Sequence, residues 1–205
     1  MNERKGYLLA KRWMDIIGAF MGFVLFLLLF IIIPCLIKLE NPREPIFFKQ
    51  IRIGKNGKPF YMYKFRSMVP DAEEKLKQLL QYNEVSGAMF KMKNDPRLTK
   101  VGRFIRKMSI DELPQICNII KGDMSLVGPR PPLPHEVQNY SPYDKQRLLV
   151  TPGCTGLWQI SGRNQVSFEE MVELDLMYIQ NRSILNDIKI ILKTFLLLFR
   201  PKGAY

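Results

Sequence analysis

The chain has 205 residues, enough for one domain with a real core or for a smaller domain and an anchor. Its 31 Lys and Arg against 19 Asp and Glu give a formal net charge of +12, which favours polyanionic partners: nucleic acid, anionic lipid or phosphate-bearing substrates. The three cysteines, Cys35, Cys117 and Cys154, form no CxxC pair, and the one histidine is His135. We therefore expect no disulfide framework, no cysteine zinc site and no HExxH site. We expect a reducing, cytoplasmic location instead.

Residues 16–37, IIGAFMGFVLFLLLFIIIPCLI, contain no charged side chain. The run is about as long as the roughly 20 residues that a spanning helix needs, and no small-residue cleavage site follows it. We therefore predict a membrane anchor over residues 1–40 and a separate domain over residues 41–205.

Basic residues flank this apolar run on both sides. They are Arg4, Lys5, Lys11 and Arg12 before it, and Lys38, Arg43, Lys49 and Arg52 after it. The positive-inside rule then places both flanks in the cytoplasm, which predicts a re-entrant hairpin rather than a straight span. We expect the chain to bend between Leu28 and Pro34, and Gly18 and Gly22 to serve close packing rather than the bend.

After the anchor, two β-rich runs, PIFFKQIRIG and KPFYMYKFRSM, flank the tripeptide KNG. Asn56 and Gly57 can supply the positive φ angles of a tight turn, so we predict a hairpin. Residues 71–82 have an acidic first turn and apolar residues at helical spacing, which predicts a helix. Residues 99–122 predict two short helices, with Pro114 near the start of the second.

The C-terminal part alternates irregular and helical segments. An extended, irregular segment is predicted by four prolines, Pro129, Pro131, Pro132 and Pro134. Ser167 and Glu170 form a capping-box pattern that opens a helix. Residues 184–200 are apolar but interrupted by charges, which predicts an amphipathic helix at the membrane interface or packed on the domain. The predicted fold class is α+β and mostly helical: a membrane-embedded re-entrant helix, a small β-hairpin and several amphipathic interfacial helices.

The chemistry of the chain centres on a pair of carboxylates, Asp111 and Glu112, in the basic stretch RKMSIDELPQ. There is no GxGxxG, GxxxxGK[ST], GxSxG or DxD motif. On an α-helix, adjacent side chains point about 100° apart, which favours two different roles. One carboxylate could attack phosphorus and form an acyl phosphate, while the other holds Mg²⁺ or handles a proton. The alternative is that the pair is a solvated helix start.

The stretches KRWMDII, PIFFKQIRIGKNGKPFYMYKFRSM, DPRLTKVGRFIRKMSIDELPQICNIIKGDMSLVGPRP, TPGCTGLWQISGR and ELDLMYIQNRS cover most of the chain. With them the chain resembles the small monotopic phosphoglycosyl transferases, also called bacterial sugar transferases or polyprenyl-phosphate hexose-1-phosphate transferases. The resemblance implies transfer of a sugar 1-phosphate from a UDP-sugar to undecaprenyl phosphate, with release of UMP. It implies a magnesium-dependent reaction at the cytoplasmic face of the bacterial inner membrane, through a covalent phosphosugar on the aspartate of the carboxylate pair, to initiate polysaccharide or glycoconjugate synthesis.

The same resemblance implies roles for individual residues. Asp111 is the expected nucleophile, and Glu112 is expected to bind the metal or to ready the lipid phosphate. Asp111 and Glu112 are also the expected protein ligands of Mg²⁺, or of Mn²⁺ in its place. The expected substrate- and phosphate-binding residues are Lys64, Arg66, Arg106, Arg130, Arg163 and Asp175. For Arg106 a basic face against anionic headgroups is the alternative role, and for Arg163 it is loop anchoring.

Other functional classes make different predictions. A nucleic-acid-binding module would carry a continuous basic stripe with interleaved aromatic residues, which the sequence lacks, so no nucleic-acid partner is expected. A membrane-anchored basic binding or scaffold module without catalysis is the alternative function. The expected partners are a UDP-sugar, undecaprenyl phosphate and membrane lipids. The transferred sugar, the pathway and a homo-oligomeric state are left open by the sequence.

Overall fold

A computed structural model describes residues 5–82, 92, 94–162 and 166–199. In chain order these residues form α1 (Lys5–Leu25), α2 (Leu27–Glu40), β1 (Phe47–Ile53), β2 (Pro59–Phe65), α3 (Ala72–Leu79), α4 (Lys100–Lys107), α5 (Gln115–Lys121), β3 (Ser125–Val127), α6 (Pro134–Gln138), β4 (Gly153–Thr155), α7 (Leu157–Ser161), α8 (Phe168–Asn181) and α9 (Ile184–Phe199). β1 and β2 form an antiparallel hairpin, and β3 and β4 form a parallel pair. The prediction of a mostly helical chain with a small hairpin is confirmed.

The apolar N-terminal run forms two helices, which break at Phe26 and are bent by 61°. Phe26 has a ψ angle of 16°, and its carbonyl oxygen accepts hydrogen bonds from the N–H groups of Leu29 and Phe30 at 2.9 and 3.2 Å. The bend predicted between Leu28 and Pro34 is therefore wrong, because Pro34 lies inside α2. A proline removes one backbone hydrogen bond, which the rest of a helix can tolerate, whereas a ψ near zero redirects the chain at Phe26.

Among the described helices, none by itself has both the length and the hydropathy to cross a bilayer. α1 and α2 meet that requirement only as the bent pair. Length and composition alone do not place a helix in lipid, so the re-entrant membrane anchor stays a prediction.

The chain divides into two compact units, each assembled from separate stretches. The first contains α1, Gln50–Met62 and the chain from Gln115 onward. The second contains Phe26–Lys49 and Tyr63–Pro114. Each unit thus holds one end of the β1–β2 hairpin. The boundary predicted at residue 40 separates a membrane anchor from the rest of the chain. These two units do not test it, so it stays a prediction.

Two apolar clusters fill the first unit. The larger joins β3, α8 and α9 and consists of Val127, Val150, Val172, Leu176, Tyr178, Ile179 and Ile190. The smaller joins α1 to β2 and α5 and consists of Ala19, Met62, Ile119 and Met124. At Gly18 of α1 a Cβ would come within 2.5 Å of Leu126 Cδ1, so this glycine allows close packing, as predicted. At Gly22 the nearest atom would be Ile116 Cδ1 at 3.7 Å, an ordinary contact.

The parallel pair β3–β4 aligns Val127 with Thr155 and continues into a close crossing of two backbones. Gly128 N donates to the Thr155 carbonyl oxygen at 2.8 Å, and Gly153 N donates to that of Pro129 at 2.9 Å. A Cβ at Gly153 would overlap with the backbone of Gly128. Two stretches that are distant in the sequence are therefore hydrogen-bonded to each other at this crossing. The predicted irregular segment with Pro129, Pro131 and Pro132 follows directly after it.

The second unit packs α2 and α4 against the end of β2. Its apolar cluster contains Ile33, Ile37, Phe65 and Ile105. Gly102 of α4 touches the chain after β2, where a Cβ would overlap with the Ser67 carbonyl. The Thr99 hydroxyl caps α4 by accepting from Gly102 N at 2.8 Å. The Glu40 carboxylate accepts from the first two N–H groups of α4 at 2.7 and 3.1 Å, so α4 starts at a fixed point.

Most other predicted elements are confirmed. In the hairpin turn, Asn56 and Gly57 have φ angles of 57° and 76°. α3 and the 3₁₀ turn after it cover the helix predicted over residues 71–82, and α4 and α5 are the two short helices predicted over residues 99–122. Ser167 and Glu170 form the predicted capping box of α8. α9 is amphipathic, with a buried side and a row of exposed apolar side chains.

Candidate active site

Asp111 and Glu112 lie on a short 3₁₀ turn, Ile110–Glu112, which follows α4 in the chain. The turn is entered through Ser109, whose φ of 55° and ψ of 20° place it in the left-handed region. This conformation costs a residue other than glycine about 1 kcal/mol or more and is common at functional sites. On a 3₁₀ turn successive side chains point about 120° apart, so the carboxylates face different surroundings. Asp111 is buried and Glu112 is exposed.

Glu112 forms an ion pair with Lys64 of β2. The Lys64 Nζ atom lies 2.7 Å from Glu112 Oε1. The two side chains are 22% and 46% exposed, and pairs this accessible contribute only about 0–1 kcal/mol to stability. The pair therefore matters less for holding the fold than for placing a cation and an accessible carboxylate next to Asp111.

Asp111 is a buried carboxyl group among charges of both signs. Its side chain is 6% exposed. The pKa of Asp111 is raised from 3.8 to about 6: burial raises it most, Lys64 and Arg106 lower it, and Glu112 raises it. The carboxylate is thus ionised at neutral pH but poorly hydrated, which makes it a better nucleophile than an exposed aspartate.

Two more predicted phosphate-binding residues lie in this unit. Arg66 is held by acceptors: its Nη1 lies 3.1 Å from Glu44 Oε2, and its Nε donates to the Pro45 carbonyl oxygen at 2.9 Å. Arg106 lies exposed in the last turn of α4. Of the predicted cations, Lys64 and Arg106 therefore act on the pKa of Asp111, while Arg66 is paired with Glu44.

The same unit contains a buried ion pair between Asp95 and Arg97. Arg97 Nη2 lies 2.6 Å from Asp95 Oδ2, and Arg97 Nε donates to Oδ1 at 2.9 Å. Burial opposes ionisation of Asp95, but the hydrogen bonds from Arg97 outweigh it and hold the pKa of Asp95 below its usual range. The pair fixes the loop that leads into α4.

Arg130 belongs to the first unit and is oriented by an acidic partner. Its Nη1 lies 3.3 Å from Glu136 Oε2. Glu136 is buried and also accepts from Leu133 N at 2.7 Å, at the start of α6. The Arg130 side chain is 22% exposed, so part of its guanidinium faces solvent. The residues after the β3–β4 crossing thus present an arginine that a phosphate could reach.

Asp175 of α8 also belongs to the first unit and is fully buried. Its Oδ2 accepts from Arg147 Nε at 2.8 Å, and Arg147 Nη1 donates to the Tyr140 hydroxyl oxygen at 2.9 Å. Burial raises the pKa of Asp175 to about 6, although Arg147 and Arg130 lower it. These contacts are those of an internal ion pair, and a direct contact of Asp175 with substrate stays a prediction. Arg163, the remaining predicted residue, lies outside the described residues.

A family model described as bacterial sugar transferase matches residues 6–201 of the chain. The chain belongs to the bacterial sugar transferase family. The match covers nearly all of the 205 residues, including the turn with Asp111 and Glu112.

Three relatives illustrate the range of the family. The galactosyl transferase CpsE of Streptococcus agalactiae is 50% identical over 97% of this chain and 44% of its own length. The undecaprenyl-phosphate galactose phosphotransferase of Salmonella typhimurium is 45% identical over 95% of this chain and 41% of its own length. The exopolysaccharide production protein ExoY of Rhizobium meliloti is 42% identical over 96% of this chain and 88% of its own length. The chain therefore spans less than half the length of the first two relatives and most of the third.

The side chains of the candidate site fit a magnesium ion only if bound water or substrate supplies further oxygen ligands. Among the described residues, no three His, Cys, Asp or Glu side chains gather at one place. Asp111 and Glu112 provide two carboxylates on one turn. Mg²⁺ commonly takes one or two protein carboxylates and completes its shell with water and substrate phosphates. Each predicted ligand is therefore of a type that suits the ion, and water or phosphate oxygens would supply the rest of its shell.

Several buried polar residues of the chain were not singled out from the sequence. They are Asp15, Glu136, Arg147 and Asp187. Asp15 Oδ1 accepts from Ser125 Oγ at 2.9 Å and from Leu126 N at 3.0 Å, which ties α1 to β3. An acidic residue directly before a long apolar run was the available signal for Asp15. No sequence pattern marked Arg147 as the partner of Asp175.

Two of the basic residues that flank the apolar run have structural partners. Arg12 donates to the carbonyl oxygens of Ile119 and Ile120, both at 2.6 Å, at the C-terminal end of α5. Lys11 lies 2.9 Å from Asp187 Oδ2. A cation at a helix C-terminus satisfies carbonyl groups that have no partner within the helix. These charges therefore contribute to folding as well as to any membrane orientation.

Proposed function

We propose that this transferase moves a sugar 1-phosphate from a UDP-sugar to undecaprenyl phosphate and releases UMP. The observation that carries the proposal is the buried carboxyl of Asp111, with a pKa of about 6, beside the accessible Glu112–Lys64 pair. The names of two relatives, an undecaprenyl-phosphate galactose phosphotransferase and an N-acetylgalactosaminephosphotransferase, support the reaction class.

In the first step an Asp111 carboxylate oxygen attacks the phosphorus that carries the sugar. A bond forms between this oxygen and phosphorus, the bond to the bridging oxygen of the diphosphate breaks, and UMP leaves. The product is an acyl phosphate with the sugar attached. Lys64 and Arg106 lower the repulsion between the carboxylate and the phosphate charges.

In the second step a phosphate oxygen of undecaprenyl phosphate attacks the same phosphorus. The bond to Asp111 breaks, the carboxylate is regenerated, and the lipid carries the sugar through a diphosphate. Glu112, exposed and next to the nucleophile, can hold the metal or accept a proton from the lipid phosphate. Its contact with Lys64 Nζ, at 2.7 Å, holds the Glu112 carboxylate in place for either role.

Magnesium is proposed as the cofactor, with Asp111 and Glu112 as its protein ligands and Mn²⁺ as the alternative ion. The bound ion would neutralise phosphate charge as it develops in the transition state. Lys64 and Arg106 supplement that charge from the protein side, and Arg130, whose guanidinium is partly exposed, is proposed to bind a substrate phosphate.

The donor sugar is proposed to be galactose or N-acetylgalactosamine. Galactose or galactosyl occurs in the names of three relatives. N-acetylgalactosamine occurs in that of an Aeromonas hydrophila protein, which is 38% identical over 97% of this chain and 45% of its own length. The reaction product would start a capsular or secreted polysaccharide, in keeping with the name of ExoY.

The bent pair α1–α2 is proposed to enter one leaflet of the cytoplasmic membrane and return, with the catalytic residues on the cytoplasmic face. Single cysteines at Asn2 and Asn41, in a variant without the three native cysteines, can be probed in intact cells with a membrane-impermeant thiol reagent. Protection of both sites is expected. Labelling of either site from outside would contradict the re-entrant arrangement.

The proposed activity is tested by incubating the protein with sugar-labelled UDP-galactose or UDP-N-acetylgalactosamine without lipid. Label should appear on Asp111 in the wild-type protein and be absent from Asp111→Asn. Undecaprenyl phosphate should then move the label to the lipid. Transfer without a labelled protein, or an active Asn variant, would rule out the covalent route, and a protein that never transfers label with any UDP-sugar would favour the scaffold function.

A further inference from the structure

A cavity of about 40 Å³ opens in the first unit beside the start of α1. Its lining includes Tyr7 and Lys11 of α1, Lys55 of the hairpin turn, and Tyr178 and Arg182 at the end of α8. A single water needs roughly 10–15 Å³ of such space, so the cavity admits about three water-sized groups. That is comparable to the three outer oxygens of a phosphate group.

The wall of the cavity is fixed by Asp187 of α9, whose side chain is fully buried. Its Oδ2 accepts from Lys11 Nζ at 2.9 Å and from the Tyr7 hydroxyl at 3.1 Å. Its Oδ1 accepts from the Tyr178 hydroxyl at 2.8 Å. Lys11 is only 12% exposed, so it is not a mobile surface lysine. Because an ammonium has three N–H donors, Lys11 retains donors for a ligand after its contact with Asp187.

Arg182 is held at the rim of the cavity. Its guanidinium carbon lies 5.8 Å from the centre of the Tyr7 ring, within the range of a cation–π contact. A cation–π contact is an attraction between the charge and the ring, so it uses none of the guanidinium N–H groups as a hydrogen-bond donor. The cavity is therefore lined by three cations, Lys11, Lys55 and Arg182, and Asp187 contacts Lys11 from behind the wall.

We propose that this cavity binds a phosphate group, with Lys11 and Arg182 as the cations that hold it. Both cations are fixed before the ligand arrives, Lys11 by Asp187 and Arg182 by Tyr7. Forked N–H donors and a buried ammonium are the groups that proteins use for phosphate. The site lies in the first unit and uses none of the residues assigned to the transfer reaction.

The phosphate is expected to come from the headgroup of an anionic lipid, a point that rests on the proposed membrane insertion of α1. Tyr7 and Lys11 precede the apolar run by a few residues, and Trp13, 59% exposed, lies between them and the run. Aromatic and cationic side chains at the end of a membrane helix lie at headgroup level. Free phosphate is the other source of the same chemistry.

The test measures binding, not catalysis. Phosphatidylglycerol is titrated into detergent-purified protein and the bound lipid is counted by native mass spectrometry, with phosphatidylcholine as the zwitterionic reference. Arg182→Gln should weaken phosphatidylglycerol binding about fivefold, the usual effect of one cation near an anionic headgroup. Arg182→Lys, which keeps the charge, should lose less. Lys11 is left unchanged because its removal would leave the buried Asp187 carboxylate without its cationic partner and destabilise the fold.

Lys189→Gln is the matched control, since it removes one exposed charge from α9 outside the cavity. Inorganic phosphate is added in a second arm: displacement of the lipid shows that phosphate alone suffices, and no displacement assigns the site to lipid headgroups. Equal lipid binding by wild-type protein and Arg182→Gln, or an equal loss in Lys189→Gln, would overturn the proposal. Asp111→Asn should bind like the wild type, so failure of the catalytic assignment is recognised separately.

Discussion

Lys64 interacts with two carboxylates, those of Glu112 and Asp111. Its Nζ lies 2.7 Å from Glu112 Oε1, and its charge also lowers the pKa of the adjacent, buried Asp111. Burial alone would push that pKa higher still. One lysine on β2 therefore contributes to how much of the Asp111 side chain is ionised near neutral pH.

Formation of the phosphosugar intermediate should depend on the ionisation of Asp111. Because only the carboxylate attacks, the single-turnover rate of UMP release should fall about tenfold per pH unit below a pH of about 6. Lys64→Met removes a charge that lowers this pKa, so the midpoint should move to higher pH. A pH profile without a break near this value, or one that Lys64→Met leaves in place, would contradict the assignment.

Asp111→Asn should be more stable than the wild type although inactive. The pKa of Asp111 is raised from 3.8 to about 6 on folding, so folding favours the protonated form. The associated stability is present below the ordinary pKa and is lost as the pH rises through 6. At neutral pH, asparagine should therefore raise the free energy of unfolding by up to about 3 kcal/mol. Denaturant unfolding measures this, with exposed Glu112→Gln as the control, expected within about 0.5 kcal/mol of wild type.

Activity should require a divalent hard cation. With excess chelator, transfer from the UDP-sugar should stop, and Mg²⁺ or Mn²⁺ should restore it, because two carboxylates and diphosphate oxygens form an all-oxygen site. Lipid-dependent UMP release is the measurement. Full activity in chelator would mean that Lys64 and the arginines neutralise the phosphates without a metal.

Arg147→Met should destabilise the first unit. It removes the cation paired with the fully buried Asp175, and stranding one member of a buried ion pair costs about 3–5 kcal/mol. Lys145→Met is the matched control, because Lys145 is an exposed position on the same 3₁₀ segment as Arg147, Asp144–Leu149; it should change stability by about 0.5 kcal/mol or less. Thermal unfolding of both variants distinguishes a structural Asp175–Arg147 pair from one that can be dispensed with.

Gly102→Ala should be strongly destabilising, whereas Gly22→Ala should not. A Cβ at Gly102 would overlap with the Ser67 backbone, so α4 would have to move away from the chain after β2, at a cost of about 1–3 kcal/mol or more. At Gly22 the new methyl group would meet only Ile116 at 3.7 Å, and alanine in a helix gains up to about 1 kcal/mol. Equal melting temperatures for the two variants would show that α4 does not depend on this close approach.

Local sequence patterns determined much of the architecture. The positive φ angles at Asn56 and Gly57, and the capping box of α8, follow from interactions within a few residues, and they were predicted correctly. The carboxylate pair was identified from the family motif around it. For the turn and the capping box the decisive interactions join residues that are close in the sequence, so the local sequence suffices to predict them.

Tertiary structure decided what depends on distant partners. The burial of Asp111, the Lys64–Glu112 contact and the choice of Arg147 as the partner of Asp175 each join residues from different elements. The bend at Phe26 was also placed wrongly from the sequence, because proline seemed the stronger helix breaker. α1 packs on the first unit and α2 on the second, and long-range packing of this kind outweighs the loss of one hydrogen bond at Pro34.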